Sequence, residues 1–232
     1  MDLLTIARRV KSETGRGGGG PLSVTSAVDN DLRIVNAVRD AWLDVQAEPY
    51  NWRWMRKNVA AGPLVAAQIA YTDAQLGLTA GAVASWWPES AQYRPTAYDA
   101  ALSSQQWALV FMDYERFRQQ FQVGTHTAGA PQFWSVDDAG RLLIGPMPDA
   151  TVSYRVNIDY RQAPTELTAD ADEPDMPERF HRLLIWKALM DASTHDASQE
   201  HYVRARDRHE DIFNALIADQ GEQITFGHRP LA

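Results

Sequence analysis

The chain contains no cysteine. That absence excludes disulfides, thiolate catalysis and cysteine-based zinc or iron–sulfur sites. Long apolar runs are missing too: the longest weakly charged region, residues 59–85, is broken by Gly62-Pro63, Gln68, Thr72-Asp73, Gln75 and Gly77. It is no membrane span. Positive charge is in deficit, because 22 Lys and Arg stand against 30 Asp and Glu, for a formal charge of -8. Tight binding to a phosphate backbone needs a basic face, so the chain as a whole is poorly suited to it. A passive acidic surface that faces DNA stays compatible with this balance. The opening residues carry Asp2 at once and lack an apolar stretch followed by a small-residue cleavage site, so they do not read as a secretory signal.

Catalytic devices are equally scarce. The six histidines are His126, His181, His195, His201, His209 and His228, and none is spaced from another histidine or a carboxylate in a metal-binding pattern. The acidic loop with Asp170, Asp172, Glu173 and Asp175 lacks the glycine and the spaced terminal glutamate of a helix–loop–helix calcium site. Gly15-Arg16-Gly17-Gly18-Gly19-Gly20 is followed by Pro21-Leu22 rather than by lysine and a hydroxyl residue, so it reads as a flexible loop and not as a phosphate loop. No Gly-x-Ser-x-Gly elbow occurs. Asp137-Asp138 looks like turn chemistry rather than a glycosidase pair. The expectation is a non-enzyme with no catalytic, cofactor or metal residues.

What is present is readable secondary structure on an ordinary globular composition, 45% hydrophobic and 22% charged over 232 residues. Leu3, Ile6, Ala7 and Val10 suit a short amphipathic helix that stops near Gly15. Residues 27–48 read as a long helix with Ser26 as cap, an apolar seam of Ile34, Val38, Ala41 and Val45, and Leu32, Val35 and Trp42 widening it. Pro49 ends it. Tyr50 to Lys57 interleaves aromatic and basic residues; a strand that buries its tryptophans and exposes its arginines explains this, with base stacking as the competing reading. Short strands are expected at 66–71 and 82–87. Ser103-Ser104 with Gln106, then Trp107, Val110, Tyr114, Phe117 and Phe121, predict an amphipathic helix over 104–121.

A hairpin follows, 133–136 and 141–144, turned by Asp137-Asp138-Ala139-Gly140. Residues 151–160 alternate without a fault, Val152, Tyr154, Val156, Ile158 and Tyr160 on one face, and form a half-buried strand. Pro177 and Glu178 open a helix whose residues from Phe180 to Met190 are apolar nearly all round, which implies burial on most sides or cover from a neighbouring subunit. Residues 200–218 give a second, antiparallel helix with Tyr202, Ala205, His209, Ile212 and Leu216 on its seam and Arg204, Arg206, Arg208 and Asp211 opposite. Gly221 ends it.

The fold class is therefore α+β: a helical bundle domain (1–48 and 169–220), an inserted β-rich domain (49–168) carrying one amphipathic helix, and a C-terminal tail (221–232). The opening helix, the run NAVRDAWLDVQAEPYNWRWMR from Asn36 to Arg56, the Gly129-Ala130-Pro131-Gln132-Phe133-Trp134 approach to a strand, LLIGPMPDATVSYRVNIDY from Leu142, and LTADADEPDMPERFHRLLIWKA from Leu167 occur in one order. In that order the chain resembles the adaptor, or head-to-tail connector, proteins of tailed bacteriophages, including the tail-tube gatekeepers of short-tailed phages.

The resemblance implies a structural virion protein at the head-to-tail interface, assembled in the host cytoplasm. It implies a homo-oligomeric ring, a dodecamer, that binds the portal protein, extends the channel for double-stranded DNA without reading its sequence, and offers a platform to a downstream nozzle or tube protein. No membrane is involved. In the tail, Ile224, Phe226, Arg229 and Leu231 are the expected contacts with the portal or a neighbouring subunit; Trp186 and Leu189 are the expected subunit-packing residues. Two alternatives stand beside this reading: a tail-completion or tail-tube component that does not touch the portal, and a carbohydrate-binding or carbohydrate-processing virion protein with Trp86, Trp87 and Trp134 as exposed sugar platforms.

Overall fold

A computed structural model of the chain describes residues 1–15, 19–87, 94–102, 104–195 and 199–221. In chain order the elements are α1 (Leu3–Glu13), α2 (Asp29–Ala47), β1 (Arg56–Ala61), β2 (Ala70–Tyr71), β3 (Val83–Trp86), β4 (Thr96–Asp99), β5 (Gln106–Ala108), β6 (Val110–Phe111), α3 (Tyr114–Phe121), β7 (Phe133–Val136), β8 (Leu142–Gly145), β9 (Tyr154–Gln162), α4 (Arg182–His195) and α5 (Gln199–Gln220). Short 3-10 turns lie at Arg53–Met55, Asp73–Leu76 and Glu178–Phe180. Helices and two sheets make the chain a mixed α+β protein. It divides into two compact units, Met1–Met55 with Pro164–Ala232, and Arg56–Ala163.

The helical unit is built from amphipathic stripes. On α1 the residues Leu3, Ile6, Ala7 and Val10 are all buried. Asp2 caps this helix by accepting the Thr5 amide at 2.7 Å, and the Thr5 hydroxyl and amide hold its carboxyl below the usual carboxylate range. The long helix begins later than its sequence pattern indicates. Val28 is the N-cap of α2 with no side-chain cap bond, so Ser26 does not cap it. Asp29 turns the chain into the helix at a φ of 51°, a conformation aspartate tolerates better than most residues. Leu32 is 40% exposed and leaves the seam to Ile34, Val35, Val38, Ala41, Trp42 and Val45.

The apolar helix is covered within its own chain. Leu183, Leu184 and Ala188 join the core shared by α1 and α2, while Leu189 packs with Ala205 of α5. Its first turn is a tighter 3-10 turn behind Pro177, and α4 proper begins at Arg182. The Arg179–Asp219 ion pair joins the start of this segment to the end of α5, so the two helices run antiparallel. The acidic loop is a staple: Asp172 accepts the Thr168 and Ala169 amides at 2.7 Å each, and Asp170 accepts the Val24 amide at 2.6 Å and the Ser23 hydroxyl at 3.0 Å. Those bonds explain why the loop carries aspartates, and they hold Asp172 below the usual carboxylate range.

The second unit is organised on β9. One edge of β9 pairs with β1 and the other with β4 and then β3, giving a five-stranded sheet whose path is β1-β9-β4-β5. Tyr154, Val156, Ile158 and Tyr160 are buried, as the alternation requires. The strand starts three residues after Thr151, because Asp149 takes the Thr151 and Val152 amides into a turn. The other sheet has four strands in the order β2-β8-β7-β6. Its β7–β8 hairpin has the expected turn: Asp137 accepts the Ala139 and Arg141 amides at 3.0 and 2.9 Å, and Gly140 takes a φ of 76°.

The largest departure from the sequence pattern lies at residues 104–121. Only Tyr114–Phe121 is helical, capped by Asp113, and residues 106–111 form β5 and β6. Trp107 and Val110 match a helical period, yet pairing with β4 and β7 wins. The Leu109 amide donates to the Pro95 carbonyl at 2.7 Å and the Trp107 indole to the Pro131 carbonyl at 2.6 Å, which fixes the extended path. Ser103 of the expected cap lies outside the described residues. At Tyr50 to Lys57, similarly, a 3-10 turn precedes the strand, which starts at Arg56.

Candidate functional site

The described elements expose apolar and charged surfaces. The segment from Gln106 to Phe111 supplies the terminal strand of both sheets, β5 of one and β6 of the other. On it Val110 is 50% and Phe111 46% exposed. A helix reading hid this edge. In the helical unit the apolar surface lies before and at the start of α2, where Leu22 is 88% and Val28 67% exposed, with Leu32 one helical turn after Val28. Exposed apolar side chains of this size in clusters mark contact surfaces.

Charged grooves flank the α4–α5 pair. One is lined by Arg182, Arg204 and Arg208 around Trp186, another by Asp40, Asp44 and Asp191 beside Lys187. Sequence periodicity shows Arg204 and Arg208 on the outer side of α5, but Glu13 and Arg182 reach the same groove only through the tertiary fold. A third hollow, in the β unit, lies among Asp73, Ala84, Trp86 and Gly140.

Trp186 is 8% and Leu189 0% exposed, both packed against α5 of the same chain. Ile224, Phe226, Arg229 and Leu231 lie outside the described residues, as does His228. The sugar-platform reading fails on burial: Trp86, Trp87 and Trp134 are 5%, 8% and 1% exposed. Trp86 donates to the Gly140 carbonyl at 3.0 Å, and the Arg56 guanidinium stacks on Trp87 at 4.7 Å. His181 is a core residue, with Nε2 2.9 Å from the Met176 carbonyl. Among the described residues no group of three or more His, Asp or Glu is placed to hold a metal ion, and no helix is long and apolar enough to cross a membrane.

His209 stacks on Phe213 with ring centroids 5.4 Å apart, and its Nε2 is buried without a partner. Burial, and secondarily the charge of Lys187 on α4, push its pKa below the usual histidine value. A depressed histidine pKa means that the unfolded chain binds the proton more readily. Stability is therefore lost as pH falls below about 6.5, the unperturbed value. The lowered carboxylates Asp2, Asp149, Asp172 and Asp219 act in a more acidic window, below the ordinary carboxylate value of 3.8. The melting temperature is expected to drop between pH 7.5 and pH 5.5, and His209→Phe, which keeps the stacked ring, is expected to flatten that drop. Equal slopes in the two proteins would assign the pH dependence to other groups.

No curated protein matches the chain. The family model described as SU10 adaptor protein matches it from residue 1 to residue 230, and the chain belongs to that family of structural phage adaptors, components of the virion at the head-to-tail junction.

Proposed function

We propose that this protein is a ring-forming adaptor: identical copies seat on the portal, extend the DNA channel and present a platform to the next tail component. The whole-length family match carries this reading. The charge of -8 supports it, since an acidic wall repels phosphates and lets DNA slide. The exposed apolar side chains Val110 and Phe111, and separately Leu22 and Val28, supply surface for neighbouring proteins. Subunit packing runs along the α4–α5 face, with Trp186 at the surface groove and Leu189 beneath it.

The tail anchors the subunit through Ile224, Phe226, Arg229 and Leu231. Each of the apolar three contributes about 1.5–3 kcal/mol when buried, before ordering costs. Co-sedimentation with cognate portal tests the function. The full chain is expected to pellet with portal, and deletion of Gln223 to Ala232 to weaken attachment while leaving thermal unfolding nearly unchanged. Full-strength binding by the truncated chain would move the docking surface to the helical unit; no binding by the full chain would remove the portal as partner.

A further inference from the structure

The helical unit carries two grooves of opposite charge that share no residue. The first, of about 450 Å3, opens where the end of α1 meets α4 and α5. Arg182, Arg204 and Arg208 surround Trp186 and Ile212 there, against two carboxylates, Glu13 and Asp211. Arg204 is paired with Glu13 at 2.6 Å, and its guanidinium sits 5.8 Å from the Trp186 ring. Arg182 and Arg208 are exposed and have no side-chain partner among the described residues. The second groove, of about 310 Å3, lies between α2, the later part of α4 and the start of α5. Lys187 neutralises Asp44 at 3.1 Å, which leaves Asp40 and Asp191 without a cation among the described residues.

We propose that the arginine groove of one copy receives the Asp40, Asp44 and Asp191 rim of the next copy, a head-to-tail contact between identical subunits. Guanidinium forks suit carboxylates in pairs, and the Trp186 and Ile212 floor supplies the apolar ground that shields such pairs from water. The two patches differ, so the contact is heterologous. It repeats from copy to copy and closes only if the rotation closes, which is what a ring requires. A nucleic-acid strand fits the same groove less well, because its phosphates meet Glu13 and Asp211 inside it and a chain of net charge -8 around it. This inference rests on the ring reading and names its subunit contact.

The absence of cysteine makes the test clean. A chain carrying Arg208→Cys and Asp40→Cys together, treated with a short bismaleimide, is expected to give a ladder of multimers, while either single variant, whose cysteine faces no second thiol across the contact, stays monomeric. Charge reversal is the second arm. Arg182→Glu with Arg208→Glu, or Asp40→Arg with Asp191→Arg, is expected to weaken self-association at least about tenfold, and mixing the two reversed chains is expected to restore it. All four positions are exposed, so circular dichroism should show folded proteins. Rings on the portal that persist with either groove reversed, and a ladder no longer than a dimer, overturn the groove contact and leave the ring standing. Absence of any wild-type ring on the portal overturns both. Loss of duplex DNA binding without loss of self-association on reversal reassigns the arginine groove to nucleic acid.

Discussion

Replacing Trp52 with alanine is expected to cost about 3–5 kcal/mol, the range for deleting a buried tryptophan. Trp52 is 1% exposed and sits where the chain leaves α2. Its indole donates to the Val45 carbonyl at 2.7 Å, closing the end of that helix. Its ring stacks on Trp54 at 4.7 Å and meets Phe213 of α5 edge-on at 6.2 Å. Alanine therefore removes a hydrogen bond, a stack and the packing that ties α5 to the core together. Since domains of this size hold about 5–15 kcal/mol in total, the urea midpoint should fall by a large fraction. Trp52→Phe, which keeps an aromatic ring but not the donor, should lose less. A midpoint unchanged by the alanine variant would mean that this cluster does not support the helical unit.

The second large effect is expected at Asp159, the one buried acid on β9, 7% exposed. It breaks the alternation because it has partners: Arg56 Nε donates to it at 2.7 Å, Arg56 Nη2 lies at 2.6 Å, and Asn58 donates at 2.6 Å. Arg56 in turn covers Trp87. Asp159→Ala strips these donors of their acceptor, at about 2–3 kcal/mol for hydrogen bonds to a charged group. The Arg56 side chain is 36% exposed, so water recovers part of its hydration and the loss stays below that of a fully buried pair. Asp159→Asn keeps one acceptor and should lose about half as much. Hydrogen exchange should report the damage in β1 and β9, with α1 and α2 protected as before. Protection lost equally in both units would contradict the local account.

Much of this fold is written in local periodicity. The stripe Leu3, Ile6, Ala7, Val10, the alternation along β9 and the Asp137–Gly140 turn each need only a few neighbouring residues, and each forms, with β9 starting at Tyr154 rather than at Thr151. Residues 106–111 were not legible, because Trp107 and Val110 continue the helical period of Tyr114 and Phe117, while their extended form depends on partners at 95–98 and 131–134. The same holds for the start of α2, where an Asp29 backbone twist replaces the Ser26 cap. Exposed surfaces are harder still. Periodicity marks Arg204 and Arg208 as outward, yet only folding sets them beside Arg182 and Glu13. Trp186 shows the reverse problem, since apolar character cannot say whether a helix of the same chain or a second copy covers it, and α5 does.

Electron microscopy of cognate portal with and without the purified full-length protein would show whether the adaptor forms a ring there. A portal-bound ring should appear as an added ring of density, coaxial with the portal and continuous with its channel, only when the protein is present. Portal particles that stay unchanged at saturating concentrations of folded protein would contradict it.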